Sequence, residues 1–420
     1  MSGEVQFFVK SSDPHKMKIL YILPFVPWPV KVRSFNLLPR LARRHEIYLV
    51  CVSRLAPSAE QAQWLSRYCQ KVVHVPHPRW KALAQCVLAL PMNTPLRIAY
   101  CRSKAARDEV RRVYSEMRPD IVYVERWRAL QYVPEDVKAT TLCDPTDSMT
   151  LYNRRLMEAG IWWEKLIGSI EFRRFSRYEA QLARQANVSV FCSKLDLDCV
   201  KQHASEVKCE LVPNAVDCGK YFFKNDSDAE PQTLIFTGNF KYRPNCHAID
   251  YFMRKIFPSV QRTLPGVKFL AVGNGASQEL RSFHGRAGFE AVDFVSDLRP
   301  YLARATVAVA PLTVGSGVSN KLVEGFAVGT PVVATPLACG DLPVTSGEQL
   351  LIGTTPDEFA QHVVTLLLDA ELRKKIAVRA RRLVEEQYDW EIIARKLEVL
   401  MEGLTGVASS ERSKREFVTA

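Results

Sequence analysis

The apolar runs along the chain are short and unbroken. MKILYILP (17–24) and EIYLVCVS (46–53) lack polar alternation, which is the pattern of parallel strands buried on both faces. Between them, SFNLLPRLARR sets apolar residues at helical spacing with basic residues opposite, completing a βαβ unit. Further strand-like runs fall at Val72–Val75, Ile121–Val124, Thr140–Cys143 and Val188–Cys192, separated by helical stretches. Strands alternating with helices over about 200 residues predict a doubly wound parallel sheet. After Glu210–Val212 the chain passes through PNAVD (213–217) and the polar stretch KNDSDAEPQ, and the pattern restarts. Strands are expected at Thr233–Thr237, Lys268–Val272, Ala291–Phe294, Val307–Ala310 and Pro331–Ala334, with helices at Asn245–Val260, Lys321–Ala327 and Pro356–Tyr388. The expectation is therefore two α/β, Rossmann-like domains, 17–212 and 213–389. They are flanked by an extension (1–16), a helix (390–403) free to cross back to the first domain, and a polar tail (404–420); the extension and tail are expected to be disordered.

Composition narrows the function. The 420 residues are 47% hydrophobic and 24% charged, ordinary globular values that exclude a fibrous or wholly disordered chain. The net charge of +12 is one-sided: residues 1–215 hold 33 Lys and Arg against 21 Asp and Glu, whereas the remainder holds 24 of each. A basic half implies a polyanionic or membrane-surface partner for that half. Eleven cysteines, odd in number and without C-x-x-C spacing, speak against a zinc site or a disulfide framework and for a reducing, cytoplasmic setting. The N-terminus lacks an apolar signal core, and no run of 18 apolar residues offers a membrane span. The eight histidines form no metal-binding pattern, no G-x-S-x-G elbow occurs, and no RNA- or DNA-binding motif accompanies the basic charge, so no nucleic-acid partner is expected.

Two segments carry candidate chemistry. In FTGNFKYRPN (236–245) a strand ends in a loop that opens a helix. Gly238 and Asn239 lie at the turn, and Lys241 and Arg243 supply cations for an anion. An ordinary βα turn is the alternative. In APLTVGSGVSNKLVEGFAVGTPVVAT (310–335) a loop with Gly315, Ser316, Gly317 and Val318 precedes a helix that carries Asn320, Lys321 and Glu324. Lys321 can reach a diphosphate and Glu324, one turn on, a ribose diol; a solvated ion pair is the alternative. In the first half, CDPTDSMTLY (143–152) offers Asp144 and Asp147 to orient or deprotonate an acceptor hydroxyl, unless they are helix caps. Asp196-Leu197-Asp198 has D-x-D form but sits at a helix start, where capping is the simpler role.

Taken in order, RSFNLLPRLARRHEIYLV, FCSKLDLD, LVPNAVD, FTGNFKYRPN, AVGNG, NKLVEGFAVGTPVVAT and the late YDW resemble a retaining GT-B glycosyltransferase of family 4, close to bacterial sugar transferases of exopolysaccharide or protein-sorting clusters. The resemblance covers residues 17–402. It implies two domains facing across a cleft. It also implies a nucleoside-diphosphate sugar as donor, a glycan or lipid-linked acceptor, retention of configuration, and no metal or other cofactor. Gly273, Asn274 and Gly275 match the strand end beside the nucleotide, and Val295–Leu298 the place of the base. The family's E-x7-E motif puts one Glu on the sugar and one on the ribose. Glu324 matches the second and Ser316 stands at the first, which leaves the sugar to backbone N–H groups of Gly315–Val318. The diphosphate cations are approximated by Lys241 or Arg243 with Lys321. The family's glycine loop after the first strand is replaced by PFVPWPVKVRSF, where Arg33 matches a position on the acceptor side.

RWKALAQCVLAL (79–90) and IWWEKLIGSIEFRRFSRY (161–178) mix bulky apolar residues with Arg and Lys. Such helices can lie on an anionic bilayer, giving a protein peripheral to the inner face of the membrane, or can pack one face into the core. A nucleotide-sugar epimerase on the same fold and a weakened homologue acting as a scaffold are the alternatives to a sugar transferase.

Overall fold

A computed structural model describes residues 5–6, 16–29, 31–159, 162–224, 229–275, 283, 285, 288–314 and 320–405. The chain divides into two compact units, Met1–Val212 with Ala394–Ala420, and Pro213–Ile393. Most of the segments 1–16 and 404–420 lies outside the described residues.

The first unit is built on β1 (Val5–Gln6), β2 (Lys18–Leu23), β3 (Glu46–Ser53), β4 (Lys71–Pro76), β5 (Ile121–Glu125), β6 (Thr140–Thr146), β7 (Val188–Phe191) and β8 (Cys209–Leu211), in the order β1-β4-β3-β2-β5-β6-β7-β8. All pairs are parallel except β1 with β4, an edge pair whose first strand lies in the segment 1–16 expected to be an unstructured extension. Central β5 is buried along its whole length, whereas β4, near the edge, alternates buried and half-buried residues. The second unit's sheet uses β9 (Thr233–Thr237), β10 (Lys268–Val272), β11 (Phe289–Val292), β12 (Val307–Ala310), β13 (Val332–Ala334) and β14 (Leu351–Ile352), all parallel, in the order β11-β10-β9-β12-β13-β14. In each sheet the first parallel strand is central and the chain winds outward in both directions from it. The switch points therefore fall between β2 and β5 and between β9 and β12, and ligands of such sheets bind at the carboxyl ends of the strands there.

Alternation sorts the second sheet's side chains onto two cores. Leu234, Phe236, Phe269 and Ala271 join Phe252, Phe257 and Phe359 on one face; Ile235, Val272 and Ala308 join Leu322 and Phe326 on the other.

Three expected helices differ in form. Pro356–Tyr388 is two helices, Pro356–Leu368 and Ala370–Gln387, because Asp369 stops the first and accepts the Leu372 N–H at 2.9 Å as cap of the second. Asn245–Val260 is interrupted by a wider, π-helical turn at Phe252–Ile256, which lets Phe252 and Phe257 both reach Phe269. In FCSKLDLD the cap is Ser193, not an aspartate. Asp196 sits in the first turn, fully buried, and its carboxylate takes the Ser148 N–H at 2.8 Å. The eleven cysteines are all thiols. No helix among the described residues is long and apolar enough to cross a membrane.

Candidate functional site

The candidate residues gather at the two switch points, and each unit is described by itself.

In the first unit, Tyr21 lies in the second half of β2, Tyr123 is in the middle of β5 and Glu125 at its end, Asp144 lies on β6, and Arg33 is in the first turn of the helix Val32–Leu41 that follows β2. Arg33 and Asp144 are buried and ion-paired through the guanidinium Nε, and Tyr123 donates its hydroxyl to the same carboxylate oxygen. Burial alone would weaken the guanidinium charge, but Asp144 holds Arg33 firmly protonated. A second guanidinium nitrogen of Arg33 reaches the Cys192 sulfur at 3.3 Å. Tyr21 donates to Glu125 at 3.0 Å, and burial pushes the Glu125 carboxyl up to about 7 against the pull of Arg126. Arg126 itself has φ of +76°, and Thr146 +73°, conformations rare for residues with a Cβ. They place the Arg126 N–H on the Asp144 carbonyl at 2.7 Å and its side chain 3.6 Å from Asp147.

Asp144 and Asp147 therefore part company. Asp144 is enclosed, whereas Asp147 is half-exposed at the carboxyl edge. Neither caps the helix Met149–Ala159: Ser148 accepts the Leu151 N–H at 3.1 Å, and buried Glu179 accepts the Thr150 N–H at 3.2 Å and the Ser148 hydroxyl at 2.9 Å. Tyr21, Tyr123, Glu125 and Cys192 have no signal in the sequence, because each lies in or beside an apolar run and acquires its partner only when the neighbouring strands, or for Cys192 the helix Val32–Leu41, pack against it.

In the second unit two loops lock together through glycine. A Cβ on Gly273 would stand 1.7 Å from the Gly238 carbonyl oxygen, and one on Gly238 would stand 2.7 Å from the Asn245 Nδ2. Gly273 also has φ of +154°. The Gly238 N–H donates to the Val272 carbonyl at 3.1 Å, so this glycine allows close packing and does not offer its amide to a ligand. Asn239 and Asn274 brace the same junction: Asn245 Nδ2 donates to the Asn239 carbonyl at 2.8 Å and the Phe240 N–H to the Asn274 carbonyl at 2.8 Å. Exposed Lys241 lies against Gly275, where a Cβ would meet its Cγ at 2.6 Å, and Arg243 begins the following helix, also exposed.

Asn320, Lys321 and Glu324 open the helix Asn320–Val328 after β12. Lys321 donates to the Asn245 Oδ1 at 3.2 Å and its ammonium lies 5.0 Å from the Phe236 ring centroid. Loss of hydration at this half-buried position lowers the Lys321 pKa to about 8 and raises that of Glu324 to about 7, each opposed by the other's charge. The Asn320 side-chain oxygen is buried without a hydrogen-bond partner. Gly315, Ser316, Gly317 and Val318 lie outside the described residues. Asn245 and Phe236, which hold Lys321, lie at the two ends of FTGNFKYRPN, 76 residues or more from it, and nothing in that motif marks them as its partners.

Residues 231–369 match the family described as Glycosyl transferases group 1. The chain is 21% identical over 385 residues to an uncharacterized 44.6 kDa protein in the cps region of Klebsiella pneumoniae, covering 89% of this chain and 96% of that one. It is 28% identical over 208 residues, 46% of this chain, to phosphatidyl-myo-inositol mannosyltransferase of Mycobacterium tuberculosis, of whose length it spans 54%. Among solved structures it superimposes on Anabaena Alr3699/HepE in complex with UDP and glucose with a TM-score of 0.65 and 15% identity, over 92% of this chain and all of that one. The fold and the matched domain define the class: this chain is a glycosyltransferase of the GT-B fold. Within that class, the matched domain, residues 231–369, is of the group 1 type.

Proposed function

We propose that the carboxyl edge of the second sheet binds the diphosphate of a nucleoside-diphosphate sugar, and that the enzyme transfers the sugar with retention to a hydroxyl of a glycan or lipid-linked acceptor in polysaccharide or glycoconjugate biosynthesis. The observation that carries this reading is Lys321, held at the β9/β12 switch point by Asn245 and Phe236 beside the Gly238–Gly273 junction. A cation kept in a partly dehydrated place attracts a leaving diphosphate more strongly than one in water. The N-terminus of the helix Asn320–Val328 adds its dipole, and Lys241 and Arg243 add exposed charge at the rim, so that charge developing on the diphosphate is met by the protein's own cations and no metal is required. Glu324 is one helical turn from Lys321, the reach of a ribose diol. On the acceptor side, Asp147 is the carboxylate we assign to the hydroxyl, with Asp144 fixing Arg33 behind it. The likeness to HepE, solved with UDP and glucose, and to a mannosyltransferase supports a nucleotide-sugar donor, and that to a cps-region protein supports the pathway.

The test is a thermal-shift screen of the full chain against UDP, GDP, ADP and their sugars without divalent metal. One diphosphate raises the melting temperature, and Lys321→Ala removes the shift. No shift with any of them, with or without added magnesium, would overturn the donor assignment.

A further inference from the structure

Two helices of the first unit are amphipathic in the wrong sense for a surface in water. The helix Arg79–Ala89 buries little more than Ala82 and Ala89, and turns Trp80, Leu83 and Val87 outward at i, i+3 and i+7, with Trp80 68% exposed and Val87 64%. The first two turns of the helix Trp162–Gln185 do the same with Trp163, Leu166, Ile167 and Ile170 at i, i+3, i+4 and i+7, and Trp162 beside them is 78% exposed. The packing of one apolar face into the core, the alternative open from the sequence, holds for the later turns of the second helix, where Phe175 is buried in the first unit's core, but does not account for the two exposed stripes. The two stripes are neighbours. Arg174, one turn after Ile170, donates to the Leu90 carbonyl at 3.0 Å, and Glu171 accepts the Leu96 N–H at 3.1 Å. Soluble surfaces rarely leave so many large apolar side chains contiguous.

The charges around the stripes select the occupant. Among the described side chains of these two helices every exposed charge is positive: Arg79, Lys81, Lys165, Arg173, Arg177 and Arg184. The carboxylates Glu171 and Glu179 are buried and committed to backbone N–H groups. An apolar, tryptophan-bearing stripe rimmed by cations matches the interface of an anionic bilayer, which takes indole rings at headgroup depth and attracts Lys and Arg. We propose that this two-helix face docks the first unit peripherally on an anionic phospholipid surface. It goes beyond the donor reading and does not depend on it.

The full chain is mixed with vesicles of phosphatidylcholine alone or of phosphatidylcholine with phosphatidylglycerol, and bound protein is read by co-sedimentation. Binding to the anionic vesicles, strengthened at low salt, is the expected result. Leu83→Glu/Val87→Glu and Leu166→Glu/Ile170→Glu each weaken it by roughly tenfold or more. Arg173→Glu/Arg177→Glu weakens it by about tenfold on anionic vesicles and hardly at all on neutral ones. All these side chains are exposed, so melting temperature and any nucleotide-induced shift stay as in the parent, which separates this outcome from a failure of the donor assignment. The proposal is overturned if the parent protein stays in the supernatant with both vesicle types, or if the glutamate variants bind as well as the parent. It is overturned too if the parent is a dimer that Leu166→Glu/Ile170→Glu dissociates while vesicle binding is absent, because the face would then belong to a second copy of the chain.

Discussion

At the switch point of the first sheet the charged groups answer one another; at that of the second, glycines bring backbone together and leave cations along the edge. Both sheets wind outward from a central first strand, so the two edges are equivalent places in topology. In the first, Arg33, Asp144 and Tyr123 form one buried hydrogen-bonded group and Tyr21 with Glu125 a second, the two meeting where the Tyr21 and Tyr123 rings lie 4.4 Å apart. In the second, Lys321 meets an amide oxygen, an aromatic face and the nearby charge of Glu324, and Lys241 and Arg243 stay exposed. The contrast teaches that charge at a strand end has two uses. Enclosed and paired, it specifies structure; half-dehydrated at an open strand edge, it can still answer a ligand of opposite charge.

That contrast breaks or sharpens by substitution. The largest effect belongs to the first edge: Asp144→Ala leaves the Arg33 guanidinium buried without its carboxylate and costs about 3–5 kcal/mol. Denaturant unfolding shows the loss, while any nucleotide-induced stabilisation of the second unit persists. Unchanged stability would mean that the network is not structural. Gly273→Ala comes next. A Cβ there meets the Gly238 carbonyl, so the junction must open; the substitution lowers stability by about 1–3 kcal/mol and abolishes the nucleotide thermal shift. A variant that keeps the shift would show that the glycine junction does not shape the ligand site.

The smallest effect is a pH dependence. Glu125 and Glu324 both have pKa values raised to about 7, so between the unfolded carboxyl range and neutrality the folded chain holds protons that the unfolded chain has released. Stability from these groups is complete below about pH 4.5 and is lost as pH rises through about 7. Melting curves across that window fall with pH. Glu125→Gln and Glu324→Gln each flatten part of the fall, and a profile unchanged by either would remove that carboxyl from the account.

Strands are legible in the sequence where both faces are buried. Thr233–Thr237, Lys268–Val272 and Val307–Ala310 match their expected bounds to the residue, because an unbroken apolar run between polar turns fits little besides a doubly buried strand. The break at Asp369 and the π-helical turn at Phe252 are not legible. Helical periodicity runs through both, and only a cap and an aromatic cluster distinguish them. The site is half legible. Lys321 and Glu324 stand together in one motif, so their neighbourhood is local. Arg33 and Asp144 are 111 residues apart, and nothing near either in the chain announces that the two share one hydrogen-bonded network.

The first unit includes Ala394–Ala420, and Glu398 in that segment lies 3.8 Å from His45 and 3.5 Å from Arg44. During translation, the first unit therefore waits until the second has been made before this helix can be seated. The intervening unit emerges while its predecessor still lacks that helix, so the two units cannot be completed in simple chain order.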